Sequence, residues 1–221
     1  MKTVRENLEQ LSREIPSSVK IVAVSKTMPV GKVMEAYDAG QRLFGENKSQ
    51  ELIAKQPFLP GDIRWHFIGH LQTNKVKYIA PVVDMIESVD SLKLLKEIDK
   101  EAAKNNREIK CLLQFHIASE ETKFGLDMAE AEALLNDPGY RELINVRLCG
   151  VMGMATFSDD ADLVRKEFRN LKSIYDDLKR SYFPDDQSFS EISMGMTGDY
   201  LIAIEEGSTI VRIGTGIFGK G

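Results

Sequence analysis

The sequence predicts one closed α/β barrel, eight parallel strands alternating with helices in the TIM manner, with an extra helix at the N-terminus. Three observations point there. Short runs rich in Val and Ile alternate strictly with amphipathic segments of helical period. Eight such units follow one another, and strict alternation implies parallel strands joined by right-handed crossovers. No linker, repeat or low-complexity stretch divides residues 1–221, so a single domain is expected. An open, doubly wound sheet is the competing architecture. The chain is shorter than the ~250 residues usual for such barrels, so its loops must be tight.

Each element has its own signal. The opening helix carries Val4, Leu8, Leu11 and Ile15 on one stripe and is ended by Pro16. The first strand, residues 19–25, is a Val/Ile-rich run closed by polar residues, and Pro29 starts a helix that runs to Gly40. Strand two covers 42–45 with a helix over 49–54; strand three covers 63–68 with a helix over 73–79. Strand four is short, 84–88, before a helix carrying Leu92, Leu95 and Ile98. Strand five, 109–115, precedes a helix over 128–135. Strand six, 146–154, precedes a long helix with Leu163, Phe168, Leu171, Ile174 and Leu178 turned inward. Strand seven at 189–193, a helix over 200–204 and strand eight at 209–213 complete the ring.

Composition narrows the function classes. A net charge of −5 with scattered basic residues argues against nucleic acid or an anionic membrane as partner. The N-terminus has no apolar core of a signal peptide, and no apolar run approaches the ~20 residues of a membrane span. Cys111 and Cys149 fall in apolar strand segments and read as buried, reduced thiols. A cytoplasmic globular protein is expected.

In such barrels the chemistry collects at the C-terminal ends of the strands. Lys26 ends the first strand, where partial burial would favour the neutral amine, a nucleophile that forms Schiff bases with carbonyl compounds. A plain surface lysine is the other reading. The loops after strands seven and eight, 193–197 and 214–216, are rich in Gly, Ser and Thr. Exposed N–H groups and hydroxyls there make a phosphate cradle, although glycines such as Gly214 and Gly216 also simply make turns. An amine at one side and a phosphate cup at the other match pyridoxal 5′-phosphate. Arg212, just before the last loop, points inward by strand alternation. It serves either as an interior ion pair or as a guanidinium facing the ring nitrogen, which it would keep unprotonated because it only donates.

The segments Ala23-Val24-Ser25-Lys26-Thr27, Phe44-Gly45-Glu46-Asn47, Trp65-His66-Phe67-Ile68-Gly69-His70-Leu71-Gln72, Ser193-Met194-Gly195-Met196 and Val211-Arg212-Ile213-Gly214 carry a resemblance. Together, in this order along the whole chain, they resemble the YggS/PROSC family of pyridoxal phosphate homeostasis proteins, related to the barrel domain of alanine racemase. The resemblance implies that Lys26 holds the cofactor as a Schiff base. It implies too that Ser193, Gly195, Gly214 and Thr215 hold the phosphate, Arg212 faces the ring nitrogen and Asn47 lies beside the ring. Thr197 stands where the family has serine, and His116 where asparagine is common.

Racemisation needs a base on each face of the substrate α-carbon, and in alanine racemases, as the resemblance implies, the second is a tyrosine from another domain. The chain ends at Phe218-Gly219-Lys220-Gly221, soon after the phosphate loop, so the expectation is a cofactor carrier in vitamin B6 homeostasis, not an enzyme. Its expected partners are pyridoxal phosphate, apo-enzymes that receive it, and amino acids; a monomer is expected. The six tyrosines fall in helices or their flanks, Tyr200 being nearest the mouth. Lys123 offers a second rim amine, and no carboxylate spacing around His66, His70 and His116 suggests a metal. A racemase or transaminase of small amino acids and a Schiff-base aldolase on a phosphorylated sugar are the alternatives.

Overall fold

The computed structural model describes residues 2–119 and 124–219. Eight strands form a closed parallel barrel in sequence order: β1 (Lys20–Val24), β2 (Leu43–Glu46), β3 (Arg64–Phe67), β4 (Val83–Val89), β5 (Ile109–His116), β6 (Val146–Met154), β7 (Glu191–Met196) and β8 (Ile210–Ile213). Pairing of β1 with β8, Val22 opposite Arg212 and Ala23 opposite Ile213, closes the ring and removes every sheet edge. The helices outside are α2 (Val30–Asp38), α3 (Ser49–Lys55), α4 (Thr73–Ile79), α5 (Leu92–Lys104), α6 (Met128–Asn136), α7 (Ala161–Tyr182), α8 (Tyr200–Glu205) and α9 (Thr215–Phe218). The extra helix, α1 (Val4–Glu14), precedes them all.

Helix α1 starts where the sequence demands. Thr3 and Glu6 make a reciprocal capping box, and Val4, Leu8 and Leu11 are buried on one stripe. Asn7 reaches the Ile217 carbonyl at 2.9 Å, so α1 is fastened beside the short terminal helix α9. The longest helix, α7, buries Val164, Phe168, Leu171 and Leu178, each worth about 1.5–3 kcal/mol of transfer free energy. Most of the apolar core lies between the sheet and these helices; a smaller cluster (Val22, Leu43, Met85, Leu112, Cys149, Met152, Ile210) fills the barrel bottom. Both cysteines are free and buried, as expected.

Two strands depart from expectation. β4 is longer than 84–88, because Val83 and Val89 both bury fully against the helical layer. β7 begins later and runs further than 189–193. Phe189 is not in the ladder: it stacks on Phe183 at 4.1 Å and on Tyr175 at 5.5 Å, under α7. Met194, Gly195 and Met196 stay in the strand, whereas the glycine had marked them as loop. The consequence is that Ser193 sits mid-strand, fully buried, below the mouth.

Candidate functional site at the barrel mouth

β1 hands over to the mouth at Ser25-Lys26-Thr27. Lys26 is exposed, contrary to the expectation that it lies against the core: β1 ends at Val24, and Lys26 belongs to the turn beyond it. That turn is strained. Thr27 has φ +63°, a region β-branched residues rarely enter, at a cost of order 1–3 kcal/mol. Its N–H donates to Glu51 at 2.7 Å and its hydroxyl to the Lys26 carbonyl at 2.6 Å. Beneath, buried Lys55 donates to the Ser25 carbonyl at 2.8 Å and to Glu46 at 2.7 Å, while the Ser25 hydroxyl donates to the same Glu46 oxygen at 2.7 Å. Burial pulls the Glu46 carboxyl upward despite these donors. Burial would also raise Glu51, but the Thr27 N–H and Lys55 outweigh it and its pKa is lowered. The buried lysine at this end is therefore Lys55, and it clamps the turn that presents Lys26. Glu51 and Lys55 are spaced i, i+4 on α3, which was the available sequence signal.

Since β1 lies between β2 and β8, Lys26 emerges between Asn47 and the Gly214-Thr215 turn. Among the described residues, three buried polar atoms near the strand ends have no partner: Glu46 Oε2, Asn47 Oδ1 and Ser88 Oγ. Orphaned buried acceptors are rare in a finished interior and fit a site completed by a polar ligand or water. Gly69 lets the loop after β3 pass beside Asn47, whose carbonyl oxygen would lie 2.4 Å from any added Cβ.

Across the barrel interior runs a chain of buried polar groups. Arg212, 4% exposed, donates to the Ser193 hydroxyl at 2.6 Å and to the Gly153 carbonyl at 2.9 Å. Ser193 donates in turn to Glu87 at 2.6 Å, and the other Glu87 oxygen lies 2.6 Å from His66 Nδ1. Burial lowers the Arg212 pKa while Glu87 and Asp199 raise it. Two contacts leave several of the guanidinium's N–H donors unspent. Ser193, expected among the phosphate ligands, is fully buried and bridges Arg212 and Glu87 through its hydroxyl.

Thr197 brings a hydroxyl to the mouth on the β7–β8 side. It accepts from the Gly216 N–H at 3.3 Å and so joins the loops after β7 and β8. A Cβ on Gly216 would come within 2.9 Å of Ile213 and 3.2 Å of Thr197, so the close approach requires glycine. Thr215 opens α9, which leaves its N–H without an intrahelical partner. Gly214 caps that turn in ordinary contact with Val24. Gly195 answers to the fold instead: at φ +94° it packs with a Cβ position 2.6 Å from the Ala203 methyl on α8.

A cavity of about 240 Å³ opens at the mouth on the β5–β7 side, lined by His116, Phe124, Met154 and Met196 among others. His70 stands beside it, 3.4 Å from Asp90 with its ring 5.0 Å from Phe124. Lys123 lies outside the described residues. Tyr200 turns away, donating to Glu14 of α1 at 2.6 Å. Among the described residues no group of three or more potential metal ligands occurs, and no helix is long and apolar enough to cross a membrane.

The family description "alanine racemase, N-terminal domain" matches residues 1–220. A pyridoxal phosphate homeostasis protein of Aquifex aeolicus is 41% identical over 203 residues, 91% of this chain and 86% of that protein. The Homo sapiens pyridoxal phosphate homeostasis protein is 36% identical over 236 residues, 100% of this chain and 85% of its own length. Among solved structures, Synechococcus elongatus PipY with pyridoxal phosphate bound is 37% identical, with a TM-score of 0.88 over 98% of this chain and 100% of that one.

Proposed function

The chain belongs to the alanine racemase N-terminal domain family, and from that premise we propose that it binds pyridoxal 5′-phosphate covalently and reversibly through Lys26 and serves intracellular vitamin B6 homeostasis. The observation that carries this reading is the mouth itself: one exposed lysine, held by a strained turn, beside orphaned acceptors and a glycine-lined cup. When bound, the cofactor supplies an aldehyde that condenses with an amine. Within this reading Lys26 presents the amine in water, where it exchanges readily. Thr197 supplies a hydroxyl, and Thr215 with the Gly214–Gly216 backbone supplies N–H groups, to hold the phosphate. Asn47 turns an unsatisfied oxygen to the ring's flank, and Arg212 offers its unspent donors to the ring nitrogen. A donor-only partner leaves that nitrogen unprotonated and weakens the ring as an electron sink, which suits storage more than turnover.

The same reading makes the protein a carrier that gives the cofactor up to apo-enzymes, working as a monomer. Its support is the fate of Tyr200, committed to Glu14, and the lack of any tyrosine lining the mouth cavity among the described residues. Borohydride reduction after mixing with pyridoxal phosphate, then peptide mapping, tests the anchor. The reading expects one label, on Lys26; a label at another lysine with Lys26 unmodified overturns it. Amino acids incubated in deuterated water with the loaded protein should gain no deuterium at Cα, whereas Lys26-dependent uptake would favour a racemase.

A further inference from the structure

The opposite end of the barrel holds a second cavity of about 240 Å³, formed where the strands begin. Its floor is apolar: Leu43, Met85 and Ile210. Its rim is charged, with Lys20, Arg64, Lys110 and Arg147 beside the carboxylates of Asp84 and Glu191. A ring of ion pairs would be the ordinary way to close a barrel bottom, and three of these cations conform. Lys20 pairs with Glu191, Arg147 with Glu108 at 2.9 Å, and Lys110 lies 3.7 Å from Asp84. Arg64 does not: among the described residues no carboxylate lies within salt-bridge distance of its guanidinium.

One group at the cavity's inner end is built differently from the rim. His66 is 2% exposed and lines the cavity, two residues beyond Arg64 on the same strand and therefore on the same face. Its Nδ1 is fixed by Glu87 at 2.6 Å, and its Nε2 has no partner within the described protein. A buried imidazole held at one nitrogen by a carboxylate, on a side chain that lines a cavity, keeps its other nitrogen available as a hydrogen-bonding terminus.

We propose that this lower cavity is a binding site for a small dicarboxylate, one carboxylate on the unpaired Arg64 fork, the other on His66 Nε2, and the carbon chain over Leu43, Met85 and Ile210. Arg64 offers the planar two-pronged geometry that carboxylates fit. The volume equals that of about eight waters, enough for a four-carbon diacid. This site is separate from the mouth at which Lys26 stands and does not depend on any cofactor there.

The test uses the full chain and two probes of equal length, succinate and butyrate, followed by the imidazole NMR signals of the three histidines and by calorimetry. His66 marks the lower cavity and His116 the upper mouth, so the two ends report separately. The proposal expects a saturable shift of His66 with succinate while His116 stays still. It expects binding about tenfold weaker for butyrate, and about tenfold weaker for succinate in Arg64→Ala, an exposed position whose folding circular dichroism would verify. A shift of His116 in place of His66, the absence of saturation, or unchanged affinity in a folded Arg64→Ala variant would each overturn it.

Discussion

Arg212 and Ser193 are joined by a 2.6 Å hydrogen bond inside the barrel, and the same serine hydroxyl donates its own hydrogen bond to Glu87. The hydroxyl thus bridges a buried cation and a buried carboxylate whose nearest charged atoms lie 3.8 Å apart. Ser193→Ala leaves both without their shared partner, and an unmade buried hydrogen bond costs about 1–3 kcal/mol. Urea unfolding should show a loss of that size.

Phosphate holding should separate from this hub. Thr197→Val removes the hydroxyl that links the two mouth loops and is expected to weaken pyridoxal phosphate markedly more than pyridoxal, which lacks the phosphate. Ser193→Ala should weaken both alike. Titrations of the two compounds against each variant distinguish the positions.

Thr27 stores strain beside the reactive lysine. Asparagine tolerates the left-handed region better than a β-branched residue, so Thr27→Asn should stabilise the fold, by up to about 1 kcal/mol, in chemical denaturation. The loosened turn should also bind pyridoxal phosphate more weakly. Greater stability with weaker binding is the signature of strain placed at a site.

The buried Glu87 dictates a pH dependence. Burial alone would raise its pKa, but the hydrogen bond from His66 and the charge of Arg212 outweigh burial and lower it below the ordinary 4.5. A carboxyl whose folded value lies below its unfolded one stabilises above the unfolded value and loses that contribution as pH falls through the folded value. The stability gap between the protein and Glu87→Gln should therefore be widest above pH 4.5 and shrink below it, as read from urea midpoints at successive pH values.

The barrel was legible because its signals are redundant. The stripe of Val4, Leu8, Leu11 and Ile15, the 146–154 strand and the 73–79 helix all lie where periodicity puts them. What escaped the sequence was depth. A glycine in a strand reads as a loop, so Gly195 shifted the expected end of β7 by a few residues and placed Ser193 at the mouth, whereas it lies buried mid-strand. Burial of Lys26 was inferred from its neighbours in sequence, whereas its exposure follows from where β1 lets go. Long-range polar contacts were the least visible: Lys55 reaching Ser25, or Glu87 bridging His66 and Ser193, join residues whose spacing carries no motif.

The central claim rests on one amine. The visible absorption spectrum of the protein mixed with pyridoxal phosphate, recorded beside Lys26→Ala, tests it most directly, because an exposed lysine can be replaced without disturbing the core. The account predicts a yellow band of protein-bound cofactor in the wild type and its loss in the variant, with both equally folded. A band that survives in Lys26→Ala, or no band in either protein, would contradict it.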